Sequence, residues 1–265
     1  MPLFENVEFF KNVDPVLQWA IFIVAVLIIL VAIFAVVVSI WLFFKYIKYN
    51  RTMNKANING EQVARKILDD NGLQKIKVSV VGSLLFGNSY SHYFKKVRLR
   101  RLTVKKNSIS SMAMGAQKSA LAILDKEGDK DMKTRIVLTP LIFFGPFAFI
   151  PLVLVGLILD IVLFSFTGVV TIISAGLGLG FYILSFVLSL MVLKTEVKAQ
   201  NRAIEILRQD NLATEEELAM MKDLFKLYNI QYVNDLVLEF LQILLRVLLF
   251  IAKLQGNSSS TSSNN

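Results

Sequence analysis

Residues 16–44, VLQWAIFIVAVLIILVAIFAVVVSIWLFF, contain no charged side chain, and no other stretch restricts the fold as much. About 20 apolar residues are enough to cross the hydrocarbon of a bilayer as a helix. A helix is also one of the few backbones that satisfies its own amides there. Trp19 and Trp41 stand near the two ends, 22 residues or about 33 Å apart along a helix, a spacing suited to an aromatic anchor at each membrane face. The run is too long for a cleaved signal peptide and lacks its basic start, so it reads as a retained first span. It follows a short, mildly acidic N-terminal segment, residues 1–15.

Three further runs extend the pattern. Residues 136–193 read as a hairpin of two spans, Ile136–Phe166 and Val169–Leu193, joined by the short connection Ser165–Gly168. Pro140, Pro146 and Pro151 predict an irregular or kinked start, since proline lacks the donor a helix interior uses. Asp160 lies near the far end of the second span. An acid there is either functional or exposed at the interface. Gly176 and Gly180 form a small-xxx-small face for helix contact. The G-L-G-L-G run around them has neither the spacing nor the preceding strand of a nucleotide fingerprint. Residues 235–254 form a strongly apolar helix with Glu239, Gln242 and Arg246 on one face. It either spans with that stripe turned into the bundle or lies at the interface, and a fourth span is the reading we adopt. The tail, residues 255–265, is rich in Ser and Asn and is expected to be disordered. The chain is 55% hydrophobic. Its fold class is mainly α: a polytopic membrane protein with about four transmembrane helices and a small cytoplasmic α+β portion.

Charge sets the orientation. Residues 45–135 carry 20 Lys and Arg against 7 Asp and Glu, a net +13 in a chain whose total is +9. By the positive-inside rule that segment is cytoplasmic. The N-terminus is then outside, residues 194–234 are inside, and the protein belongs in the cell membrane. Within the basic segment, Asn59 with Gln62 at N3 is a capping box. It opens a helix with Val63, Ala64, Ile67 and Leu68 on its apolar face, closed by Asn71-Gly72. Ile76–Val81 and Lys96–Arg100 read as strands, with Gly82 and Gly87-Asn88 as turn signals. In the second strand Lys96, Arg98 and Arg100 share one face, opposite Val97 and Leu99. The basic face is either solvated or rests on anionic lipid headgroups. Nucleic acid is not expected, because no aromatic platform is interleaved with the cations. Asp125–Thr134 reads as a charged loop. Lys194–Asp210 continues the third span as a helix carrying Glu196. Thr214 and Glu217 form a second capping box.

Ser108–Leu124, SISSMAMGAQKSALAIL, sits between the basic segment and the second apolar run. Read alone, it is a serine-capped helix packed closely through Gly115, Ala116 and Ala120. The stretches N-G-E-Q-V-A-R-K-I-L-D-D-N-G-L (59–73), E-V-K-A-x-x-R-A (196–203) and L-A-T-E-E-E-L (212–218) occur with it in this order. Together they make the chain, from about Asn50 to Leu254, resemble the YugP-like family of membrane-integral zinc metallopeptidases. The resemblance implies a zincin-like cytoplasmic portion. In that family the helix at 108–124 carries H-E-x-x-H, two imidazoles one turn apart with a carboxylate beside the metal-bound water. Here the first histidine is replaced by Gln117, the general-base glutamate by Lys118 and the second histidine by Leu121. Glu196 stands where the family has its third ligand.

Composition alone leads to the same point. The chain has one histidine, His92, and no cysteine, so it cannot assemble a Cys/His zinc site or a nucleophile–histidine arrangement beyond that single imidazole. Lys118 would repel a cation. His92, beside Tyr93 between the strands, reads as a turn residue, and the family has His-Tyr near this point. The family implies zinc, but the ligands for it are missing, so no catalytic residue, metal or cofactor is expected. The reading is an inactive pseudopeptidase with a scaffold or protein-binding role, whose partners are the bilayer, anionic headgroups and a membrane protein. The alternative is a membrane metalloendopeptidase with a non-standard metal site. A transporter would need repeated broken-helix halves, which the chain lacks.

Overall fold

The structure is a computed structural model. It describes residues 10, 13–81, 87–163 and 168–262, with the backbone only for 141–149, 254 and 256–262. The protein is mainly helical, with elements in the order α1 (Pro15–Arg51), α2 (Gly60–Asp70), β1 (Lys77–Val81), β2 (Ser89–Ser91), β3 (Lys96–Arg100), α3 (Arg101–Lys105), α4 (Ile109–Lys126), α5 (Lys130–Leu163), α6 (Val169–Gln209) and α7 (Glu215–Ser262). Among the described residues two helices, α1 and α6, are long and apolar enough to cross a membrane. Residues Ile150–Leu163 of α5 form a shorter apolar stretch. The turn signal Gly82 and most of the expected Ser165–Gly168 connection lie outside the described residues.

The chain divides into two units, Met1–Ile40 with Ile230–Asn265, and Trp41–Asn229. In the first, α1 and α7 pair antiparallel. Ser39 Oγ donates to Gln231 Oε1 at 3.1 Å, and Gln255 Oε1 accepts from Asp14 N at 3.1 Å. Val13, Ile21 and Ala252 form the apolar seam at that second contact. Most of the remaining α1 surface is bare hydrocarbon: Ile29, Leu30, Ile33, Phe34, Val36 and Val37 are each more than half exposed. A contiguous apolar face of that extent requires a cover. On α7, Glu239, Gln242 and Arg246 are all exposed, so this unit does not enclose the polar stripe.

The second unit is built on a three-stranded sheet of order β1-β3-β2, in which β3 is parallel to β1 and antiparallel to β2. Strand β2 has no place in the sequence reading, because Ser-Tyr-Ser is short and lacks an alternating pattern. Val97 and Leu99 of β3 have zero exposure and pack with Ala64, Leu68 and Ala122 from α2 and α4. Helix α2 carries the expected capping box: Asn59 Oδ1 accepts from Gln62 N, and Gln62 Oε1 accepts from Asn59 N. Gly72 follows with φ +67°. The main core gathers Val63, Ile67, Met112, Leu121, Leu207 and Leu224 around α4.

Four expectations need correction here. The charged stretch after α4 is not all loop, since α5 already begins at Lys130. Asp129 Oδ1 accepts from Met132 N at 3.1 Å and opens that helix. Helix α5 then runs unbroken through Pro140, Pro146 and Pro151. Nor is close packing of the hairpin provided by Gly176 and Gly180, where an added Cβ would meet nothing within 4 Å. It is provided by Gly156, where a Cβ would lie 2.5 Å from Ser174 Oγ. In addition, α7 is a single helix from Glu215 through 234–235, so the boundary read at residue 235 falls inside it.

Candidate functional site

Helix α4 is deeply enclosed. Ser108 caps it, its Oγ accepting from Ser111 N at 3.3 Å, and every residue from Ile109 to Leu124 except Met114 is buried. The reason it can sit so deep is steric. Gly115 faces Gly60 at the start of α2, and a Cβ there would collide with the Gly60 carbonyl. With both residues glycine the two backbones touch, which a side chain on either would forbid.

Helices α5 and α6 lie against α4, and a ladder of ion pairs ties the α4–α5 turn and the start of α5 to α6. Glu127 accepts from Arg202 at 3.0 Å, Asp129 pairs with Lys198, and Asp131 pairs with Lys194 at 2.8 Å. One turn beyond Asp131 the polarity reverses, so that the base, Arg135, is on α5 and the acid, Glu196, is on α6. Arg135 NH2 donates to Glu196 Oε1 at 2.5 Å. From α4, Lys118 Nζ and Gln117 Nε2 both donate to Glu196 Oε2, at 2.9 Å and 2.8 Å. Leu121, one turn after Gln117, is in the apolar core with no exposure.

The structure therefore brings Gln117, Lys118 and Glu196 together and adds Arg135, which the sequence reading missed. Its only signal in the sequence is that it is the last cation before the apolar run. All three charges are shielded, with side-chain exposures of 10% for Lys118, 17% for Arg135 and 19% for Glu196. Burial alone would push the Glu196 carboxyl up. The fields of Lys118 and Arg135 and the hydrogen bonds they donate outweigh burial and hold it down at about 2. Glu196 lies three residues past Leu193, where the apolar part of α6 ends.

These residues do not fit the zinc that the resemblance implies. Gln117, Lys118 and Leu121 offer an amide, an ammonium and an aliphatic side chain, and the Glu196 carboxylate already serves two cations. Among the described residues no group of three or more His, Asp or Glu could hold a metal ion.

The other singled-out residues are elsewhere. His92 is half-buried at the end of α4, its Nδ1 2.7 Å from Asp125 Oδ2. The same oxygen accepts from Tyr90 OH at 2.5 Å and from Lys95 Nζ at 3.3 Å. Burial would raise the Asp125 carboxyl, but those donors and the Lys95 charge lower it below the usual carboxylate range. Lys96, Arg98 and Arg100 are on the outer face of β3, and the Arg98 guanidinium lies 5.5 Å from the centre of the Phe94 ring. Trp19 and Trp41 are both exposed on α1. Asp160 is fully buried, not exposed. Its carboxylate accepts from Val170 N at 3.2 Å and from Thr171 N at 2.6 Å. Gly168, in the left-handed region at φ +79°, has no side chain to cap α6, so the cap comes from α5.

Helix α4 thus turns positions 117 and 118 toward Glu196 on the long helix α6, where two cations and an amide occupy the carboxylate. The family described as "Putative neutral zinc metallopeptidase" matches residues 24–252, and the chain belongs to it. No curated protein and no solved structure matches the chain.

Proposed function

We propose that this protein is a catalytically silent, membrane-embedded member of the neutral zinc metallopeptidase family that serves as a scaffold for a membrane protein partner. The observation that carries this reading is the occupation of Glu196 by Lys118, Arg135 and Gln117. A dication and two buried cations cannot share one carboxylate without large repulsion. The two side chains thus supply the positive charge for which the family uses metal. No step of peptide hydrolysis is assigned to any residue, because the position of the base holds Lys118, whose ammonium donates and does not accept.

The exposed apolar faces of α1 and of the α5–α6 hairpin support integration in a membrane. With the second apolar run and residues 235–254 counted as spans, the chain crosses four times. The basic segment and residues 194–234 lie on the cytoplasmic side by the positive-inside rule, and the N-terminus lies outside. In that topology the site faces the cytoplasm, next to the bilayer.

Activity separates this from the alternative of a working endopeptidase with a non-standard metal site. The purified full chain, incubated with a casein-type substrate with and without chelator, is expected to show no chelator-sensitive cleavage. Cleavage abolished by chelator and restored by zinc would reinstate the enzyme. The scaffold role is tested by co-purification from membranes, and the absence of any reproducible partner would count against it.

A further inference from the structure

The β2–β3 hairpin has features that neither the sheet nor the altered site requires. Its loop, residues 92–95, is a four-residue turn closed by Lys95 N donating to His92 O at 3.3 Å, with Lys95 in the left-handed region at φ 45°. Three of its side chains are tied down at the end of α4, where Asp125 engages Tyr90, His92 and Lys95. Beneath it, Val97 and Leu99 are fully buried. The hairpin is therefore a fixed projection of the unit.

The tip of that projection is aromatic. Tyr93 and Phe94, its central residues, are 68% and 65% exposed. Water-facing turns take Gly, Asn, Asp, Ser or Pro for conformational reasons, and two adjacent bare aromatic rings have no such reason. Cations surround them: Lys95 is exposed, Lys96 follows, and Arg98 is stacked on the Phe94 ring. The level of the tip is set by one more distance. Tyr93 OH lies 3.5 Å from the carbonyl oxygen of Ile136, the first residue of the apolar run of α5. The tip therefore stands at the height where α5 turns from charged to apolar. Tyrosine at that height sits with its ring in the headgroup layer.

We propose that the hairpin tip is a lipid foot: Tyr93 and Phe94 enter the headgroup–acyl boundary of the membrane that α5 and α6 cross, and Lys95, Lys96 and Arg98 bind anionic headgroup phosphates. The inference rests on the membrane reading above and goes beyond it by assigning a second, peripheral contact to the cytoplasmic portion. Charge and position favour lipid over a protein partner. Asp125, the acid that contacts the hairpin, is already engaged by Tyr90, His92 and Lys95, and the foot is adjacent to the start of an apolar helix in its own unit. The foot would hold α4, and with it the Glu196 site, at a fixed height above the bilayer.

The chain has no cysteine, so a single introduced cysteine takes an environment-sensitive fluorophore cleanly. Three full-length variants are needed: Phe94→Cys at the tip, Leu177→Cys on the exposed apolar face of α6, and Gln74→Cys at an exposed position outside the hairpin. Each is labelled and placed in nanodiscs of phosphatidylcholine alone or mixed with phosphatidylglycerol, with a nitroxide-bearing lipid as quencher. In mixed nanodiscs the labels at 94 and 177 should be blue-shifted and quenched while that at 74 is not. Neutralising Lys95, Lys96 and Arg98 to Gln should abolish the quenching at 94 but leave 177 unchanged. Quenching at 177 with a water-like label at 94 in both compositions would overturn the foot alone. Equal quenching at 94 with or without phosphatidylglycerol would overturn the anionic contact, and a blue shift at 94 without lipid quenching would point to a protein partner. If neither 94 nor 177 is quenched, the membrane reading itself fails. Should Phe94→Cys not fold, Tyr93→Cys repeats the test.

Discussion

At the scale of single residues, the arrangement turns on Glu196. Two cations and an amide converge on one shielded carboxylate, so the group is costly to remove from either side. Glu196→Ala leaves Lys118 and Arg135 buried without a counter-charge. Breaking a buried pair in this way costs about 3–5 kcal/mol, and unfolding of the detergent-purified variant should show it. The acid limb of the stability curve reports the same group. Its folded value, about 2, is below the ordinary 4.5, so its contribution is complete above pH 4.5 and is lost as pH falls toward 2. That limb should flatten in Glu196→Gln. A Glu196→Ala protein as stable as the parent, with the same acid limb, would mean that the triad contributes nothing.

At the scale of elements, local chemistry was legible and partners were not. The Asn59–Gln62 box and Gly72 could be read from spacing, and so could the inward Val97 and Leu99 of β3, because each depends on neighbours within a few residues. Arg135 was not legible, since its role arises from α5 lying against α6, which no spacing in the sequence encodes. The start of α5 was missed because a run of charges resembles a loop until Asp129 is seen to cap it. The glycines make the point most directly. Gly176 and Gly180 have the sequence signature of helix contact, yet close approaches are found at Gly60, Gly115 and Gly156 instead. Gly115→Ala should cost about 1–3 kcal/mol or more, because the Gly60 backbone blocks its methyl group. Gly176→Ala, with open space around it, should be neutral or stabilising by about 0.5–1 kcal/mol. Thermal unfolding of the two variants side by side decides this, and equal losses would show that the glycine at 176 is also used.

At the scale of the whole molecule, distribution of charge and apolar length fixes what the chain can be. The net +13 of the segment between apolar runs is what supports the proposed cytoplasmic side, a proposal about topology that secondary structure cannot supply. Membrane-impermeant labelling tests it in sealed vesicles of known orientation. A Lys105→Cys variant, exposed on α3, should react only from the cytoplasmic face, and reaction from the outer face would invert the topology. Family membership follows from the match over residues 24–252. The loss of chemistry is a separate proposal, read from four side chains at 117, 118, 135 and 196.

The most direct test of that proposal is the zinc content of the full-length protein, purified in detergent, dialysed against metal-free buffer and measured by elemental analysis. A site whose carboxylate is held by Lys118 and Arg135 predicts zinc far below one atom per chain, unchanged in Glu196→Gln. One zinc per chain, lost in Glu196→Gln, would contradict the account, because Glu196 would then be a metal ligand and not the partner of two cations.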